Sequence, residues 1–225
     1  MRRATTFAIG VLALCAIAIP ADADIITVTN TNDSGPGSLR QALADANDGD
    51  AIDFDSALNG QTIMLTTGEL AINRNMTVSG LGPDLLEVSA LGTQFVRVFH
   101  VMPERTVMIE GLTISNGGVR GGGLYNDHAT LTISNCIVRD NEGDLGGGMY
   151  NDGANGKAAL TIVNSSFRTN LSTGGSGGGI YNDGSNGSAT LEIINSFVTH
   201  NFAPFFPPSV PGHESHHRRF QYCHR

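Results

Sequence analysis

In the second half of the chain, apolar and polar residues alternate in short bursts. Leu131 opens LTISNCIVRDN, Leu160 opens LTIVNSSFRTN and Leu191 opens LEIINSFVTHN. Positions 1 and 3 of each phrase are apolar: Leu131 and Ile133, Leu160 and Ile162, Leu191 and Ile193. Period-two alternation puts both on one face of a strand. Position 8 is apolar as well, as Val138, Phe167 and Val198. Positions 1, 3 and 8 do not share parity, so a bend must lie between 3 and 8. Each phrase therefore predicts two short strands with a corner between them, both turned inward. Val107 opens a weaker copy, VMIEGLTISNG, with Ile114 at position 8.

The four phrases start 24, 29 and 31 residues apart. Repeats of this length indicate a solenoid or similar array. No helical stripe at i, i+3, i+4 runs through them. The expected fold is all-β: a parallel β-helix of about six coils over residues 50–201, stacked at about 4.8 Å per coil. The domain reading is a leader at 1–23, an N-terminal strand and capping helix at 24–60, coils at 61–201 and an irregular tail at 202–225.

The N-terminal part fits that reading. ITVTN at Ile26–Asn30 and AIDF at Ala51–Phe54 read as strands. Between them Ser38 can cap a short helix with Leu39, Ala42, Leu43 and Ala46 on one face. Such a helix would cover the open end of the solenoid, where edges and core are otherwise bare. TIML, MTVSG, LLEVSA and FVRVFHV predict further strands before the regular repeats.

Asparagine recurs in three series. Asn135, Asn164 and Asn195 stand at position 5, the predicted corner. Asn141, Asn170 and Asn201 stand at position 11. Asn126, Asn151 and Asn182 follow the glycine blocks GGGLYND, GGGMYND and GGGIYND. Coils stacked in register turn each series into a column of hydrogen-bonded amides, a structural ladder. Asn164 also lies in a glycosylation sequon, as do Asn75 and Asn186, and an inner ladder position would exclude a glycan. The first glycines of each block allow a tight turn at positive φ. The block is not a phosphate loop, since neither helix nor lysine follows it. Asp127, Asp152 and Asp183 recur in register too. Stacked like charges repel unless solvated, spread apart or bridged by a cation. These three are the candidate metal ligands, with calcium as the metal; no other cofactor is expected.

Arg2 and Arg3, an apolar run from Phe7 to Ile19, Pro20 and Ala21-Asp22-Ala23 read as a secretory signal peptide cut after Ala23. The run is shorter than the roughly 20 residues of a membrane span. Leu14 before Cys15 argues against a lipoprotein site. Cleavage leaves 11 basic against 20 acidic residues. An acidic chain with one lysine lacks the basic patch that nucleic acid needs. Cys136 and Cys223, the two remaining cysteines, sit in unlike contexts and do not make a disulfide framework.

After Asn201 the pattern stops. Pro204, Pro207, Pro208 and Pro211 share the tail with His213, His216, His217 and His224. A histidine-rich metal site is one reading of it. A shifted reading frame or truncated gene is the other, and would make the chain a fragment of a longer surface protein.

The glycine block paired with FRTN at Phe167–Asn170, and its variants VRDN at Val138 and VTHN at Val198, resembles the repeats of chlamydial polymorphic outer membrane proteins. More broadly, residues 25–201 resemble secreted bacterial proteins with right-handed parallel β-helix repeats of pectate-lyase-like fold. That resemblance implies a secreted, extracellular or outer-membrane location. It implies a structural or adhesion module whose partner is a surface glycan or a host or partner protein, without a transmembrane span in the mature chain. It also admits a polysaccharide lyase or glycoside hydrolase. The Asp-Asp, Gly-His-Gly and Arg-Ile-Lys signatures of polygalacturonases are absent. Arg139, Asp140 and Arg168 are outward charges such as any solvated face displays. No catalytic residue is assigned.

Overall fold

The computed structural model describes residues 23–91 and 96–204. The leader before Ala23 and the tail beyond Pro204 lie outside the described residues. Within them the chain winds as a parallel β-solenoid of about six turns, carried by three sheets. Face A stacks seven strands in the order Ile25–Val28, Ala51–Phe54, Met76–Ser79, Thr106–Glu110, Thr130–Ser134, Lys157–Val163 and Ser188–Ile194. Face B stacks six, from Gln61–Met64 to Phe197–Thr199, and face C five, from Leu70–Ile72 to Ile180–Asp183. All pairings in these sheets are parallel, and from Ala51 on the chain visits A, B and C in turn. A short fourth side, Glu142–Leu145 on Leu171–Ser176, joins B to C in two coils.

Register follows the repeat without slippage on the three faces. Ile52, Val78, Ile109, Ile133 and Ile162 form one inward column of face A, each fully buried, and Ile193 ends it. Val88, Ile114, Val138 and Phe167 form the matching column of face B. The parity shift between positions 3 and 8 is thus a real corner. It turns at Gly111, Asn135, Asn164 and Asn195, whose φ values are 65°, 49°, 49° and 48°. A left-handed backbone at one residue redirects the strand, and asparagine tolerates it better than most side chains. A second corner at position 10 has the same conformation at Asn116, Asp140, Thr169 and His200.

In the glycine blocks only the first glycine needs positive φ: Gly121, Gly146 and Gly177 stand at 62°, 61° and 62°. The next two serve close approach between coils. A Cβ on Gly148 would come within 2.5 Å of the Gly179 carbonyl oxygen. Immediately after each block, LYND, MYND and IYND are strands of face C, which the turn reading of the sequence did not foresee.

The first turn is closed by the helix Leu39–Asp45. Ser38 caps it by accepting from the Gln41 N–H at 3.2 Å, and Leu39, Ala42 and Leu43 are buried in the core. Arg40 pins the helix to the neighbouring turn. It donates to the carbonyls of Gly68 and Glu69 and to Asp33, each at 2.7 Å. Asp33 also accepts from Thr66 at 3.0 Å and Thr67 at 2.6 Å. At the other end the ladder runs one residue past Asn201: Phe202 donates to the Asn170 carbonyl and accepts from Ser172, both at 2.8 Å.

Candidate functional site

Two of the three asparagine series point inward. Asn126 donates to Asn151 Oδ1 and Asn151 to Asn182 Oδ1, both at 2.6 Å. The column opens at Asn126 because Val101 holds the same register one coil earlier, and Asn126 Oδ1 is buried without a partner. Asn141 donates to Asn170 Oδ1 at 3.0 Å and Asn170 to Asn201 Oδ1 at 2.9 Å. The same side chains close the backbone of the position-10 corner, with Asn170 Nδ2 donating to the Val138 carbonyl at 3.0 Å. Buried amides with every donor used contribute both stability and register.

The third series is different. Asn135, Asn164 and Asn195 are exposed, and their side chains turn away from the core. The expectation of an inner amide ladder at position 5 is corrected. These residues supply the left-handed backbone of the corner, and the inward polar column lies one residue further on. There the Cys136 N–H donates to Ser165 Oγ and the Ser165 N–H to Ser196 Oγ, both at 3.0 Å. Burial pushes the Cys136 thiol up to about 12. The signal for this hydroxyl column was a serine at position 6 of two phrases, which carries no meaning until the corner is placed.

Outside face C, Tyr125, Tyr150 and Tyr181 stack at 5.4 and 5.3 Å between ring centroids, and His100 extends the stack at 4.9 Å from Tyr125. Arg97 and Arg120 lie over the Tyr125 and Tyr150 rings at 4.5 and 5.3 Å. The rings therefore cover one another along the axis. The aspartate column is interleaved with this stack. Tyr125 donates to Asp152 Oδ2 at 2.6 Å and Tyr150 to Asp183 Oδ2 at 2.8 Å. Burial and the adjoining carboxylates raise both phenols above the ordinary tyrosine range. Like charges in register are thus separated by hydroxyl donors.

As a metal centre the column divides. Asp127, His128 and Asp152 bring ligand atoms within 4.8 Å of one another, but Asp183 belongs to the next coil, where the Ser185 hydroxyl and N–H and the Tyr150 hydroxyl hold its carboxyl below the usual range. His128 Nδ1 lies 2.5 Å from Asp127 Oδ1, and Nε2 lies 2.8 Å from the Ala154 carbonyl. Calcium asks for six to eight oxygen ligands. Two carboxylates beside an imidazole, each already engaged, do not fit that requirement.

Face B carries an open groove of about 380 Å³, lined by Gln61, Asp84, Glu87, Arg139, Asp140 and Arg168 among others. Arg139 pairs with Glu87 at 2.9 Å and Asp140 at 2.5 Å. Burial pushes the Asp140 carboxyl up, but hydrogen bonds from Thr169 and Arg139 outweigh it and hold the group below the usual range. Arg168 stacks in register with Arg139 and lies exposed at the groove rim. The outward charges Arg139, Asp140 and Arg168 thus converge on one surface.

Fold and columns together define a repetitive parallel β-solenoid stabilised by in-register polar ladders. No protein-family model matches the chain, and no curated protein or solved structure matches it. No helix among the described residues is long and apolar enough to cross a membrane.

Proposed function

We propose that this chain is a secreted or cell-surface β-helix module with a structural or adhesive role. The observation that supports this most is the use of its recurrent polar groups. Asparagine bonds to asparagine, serine to serine and tyrosine to aspartate one coil away, which makes a stiff rod. The resemblance to secreted β-helix repeat proteins and to chlamydial outer membrane repeats supports the same reading, as does the leader-like N-terminus. The face B groove, with Arg139 and Arg168 in register, is its contact surface for an acidic glycan or an acidic partner protein.

Export tests the first half: N-terminal sequencing of the chain recovered from a bacterial periplasm or medium should begin at Asp24. Binding tests the second half. The exported chain should be retained by immobilised acidic polysaccharides, and the double substitution Arg139→Ala with Arg168→Ala should release it. Retention unchanged by that substitution would exclude the groove.

A second reading rests on the same groove, since Asp84, Glu87 and Asp140 share it with two arginines. Carboxylates beside arginines are groups that polysaccharide cleavage employs. Unsaturated product from a polyuronate, with or without calcium, would favour the enzyme over the adhesion module.

A further inference from the structure

Asp127 stands between two imidazoles. His100 lies on the face C strand one coil earlier, and His128 follows Asp127 in sequence. Glu69 Oε1 lies 2.9 Å from His100 Nδ1, and the Ala154 carbonyl lies 2.8 Å from His128 Nε2. An ionised carboxylate and a carbonyl only accept, so each of these two ring nitrogens carries a proton. The other two nitrogens both face Asp127. His128 Nδ1 is 2.5 Å from Oδ1, and His100 Nε2 is 3.5 Å from Oδ2. His100 Nε2 is buried and makes no hydrogen bond. In neutral rings these two nitrogens are lone pairs set against a carboxylate. The arrangement calls for a cation, or for a further proton on each ring.

The surroundings favour a cation that takes nitrogen. Asp152, in register with Asp127 one coil on, brings its carboxylate within 4.8 Å of Asp127 and His128. Each ligand is oriented from behind, as the ligands of metal centres are. Glu69 holds His100 and the Ala154 carbonyl holds His128. The Tyr125 hydroxyl at 2.6 Å and the Ala154 N–H at 3.0 Å hold Asp152. These contacts leave lone pairs free on the carboxylate oxygens. Arg97, 2.8 Å from Glu69 Oε2, neutralises the outer carboxylate, so Asp127 and Asp152 are left to balance a divalent charge. Two imidazoles and two carboxylates fall short of calcium's oxygen shell but are donors that zinc takes in four-coordinate sites.

We propose that His100 Nε2, His128 Nδ1 and the carboxylates of Asp127 and Asp152 form a binding site for a divalent transition-metal ion of the zinc class. The ion takes the place of the proton between His128 and Asp127, so binding releases protons. It clamps three successive coils, because His100, Asp127 and Asp152 lie on adjacent strands of face C. Glu69 is a positioning residue, acting on the ion only through His100.

Zinc titration of the full exported chain tests this, with His213→Ala, His216→Ala, His217→Ala and His224→Ala introduced so that the tail does not compete. Calorimetry should give one zinc per chain, undisturbed by excess calcium. His100→Ala and His128→Ala should each weaken binding by about a hundredfold, and Glu69→Gln by about tenfold. Ring nitrogen resonances should show zinc moving Nε2 of His100 and Nδ1 of His128, both saturating at one equivalent. Should a variant fail to fold, the resonances of the tail-substituted chain decide alone. Absence of zinc binding overturns the proposal, as does binding at full strength in both histidine variants. Rings that are doubly protonated at neutral pH and unmoved by zinc would show that protons alone fill the space, and overturn it too.

Discussion

Tyr150 donates its hydroxyl to Asp183, 33 residues later in the chain and one coil away, at 2.8 Å. Tyr125 does the same to Asp152 at 2.6 Å. An exposed row of carboxylates would repel; a hydroxyl given to each from the preceding coil converts the row into a source of order.

Removing one such hydroxyl should therefore be felt. Tyr125→Phe keeps the ring stack but leaves Oδ2 of Asp152, a largely buried residue, without its donor, while the Ala154 N–H stays on Oδ1. The expected loss is about 1 to 2 kcal/mol, the range for a hydrogen bond to a charged group that keeps some solvent. Urea unfolding followed at 218 nm would show it as a lower midpoint at unchanged slope. Tyr125 and Tyr150 should also resist ionisation beyond the ordinary tyrosine range, which a difference spectrum at 295 nm records.

The inner and outer asparagines should separate cleanly. Asn170 bonds to Asn141, Asn201 and the Val138 carbonyl. Asn170→Ala strands several buried groups and should cost about 2 to 4 kcal/mol. Asn164, exposed at φ 49°, matters only through its backbone. Asn164→Gly should be neutral within about 0.5 kcal/mol, while Asn164→Ala should cost about 1 kcal/mol from the left-handed conformation. In a glycosylating host the Asn164 sequon should accept a glycan; its outward position removes the obstacle that an inner ladder would have posed.

Core substitutions should report the open end. Ile162→Ala should cost about 2 to 5 kcal/mol, as for fully buried aliphatics. Ile193→Ala, at the same repeat position but 44% exposed, should cost about 1 kcal/mol or less in a dilute sample. Equal losses at the two sites would mean that Ile193 is buried in solution.

Acid should loosen the N-terminal cap. Burial pushes the Asp33 carboxyl up, but hydrogen bonds from Thr67, Arg40 and Thr66 outweigh it and hold the group at about 2. A depressed carboxyl contributes stability that is complete above its unfolded value near 4 and is lost as pH falls towards 2. Asp33→Asn should remove that pH dependence between about 4 and 2. Tm measured across the interval in both proteins checks it.

The coil architecture was legible because its signals are local and repeated. Period-two alternation, a parity break and recurrent asparagine together require strand, corner, strand, and the helix behind Ser38 declared itself by cap and apolar face. What escaped was what only stacking reveals. Exposure of Asn135, Asn164 and Asn195 depends on which way the corner turns, and a left-handed asparagine can point either way. The Cys136–Ser165–Ser196 column hid behind residues common in any turn. LYND, beside glycines read as a turn, shows no apolar alternation long enough to mark a strand, yet it is one because its neighbours above and below are strands. The partnering of Asp152 with Tyr125, 27 positions away, needs a coil length that varies from repeat to repeat.

In-register stacking is the claim on which all of this rests, and a distance tests it most directly. Thr77, Met108, Thr132, Thr161 and Glu192 occupy one outward column of face A. Spin labels at Thr77 and Glu192 are separated by four coil steps of about 4.8 Å, or about 19 Å between backbones. Double electron–electron resonance should give one narrow distribution near that value, allowing for the label arms. A broad distribution, or a maximum beyond about 35 Å, would contradict the stacked solenoid.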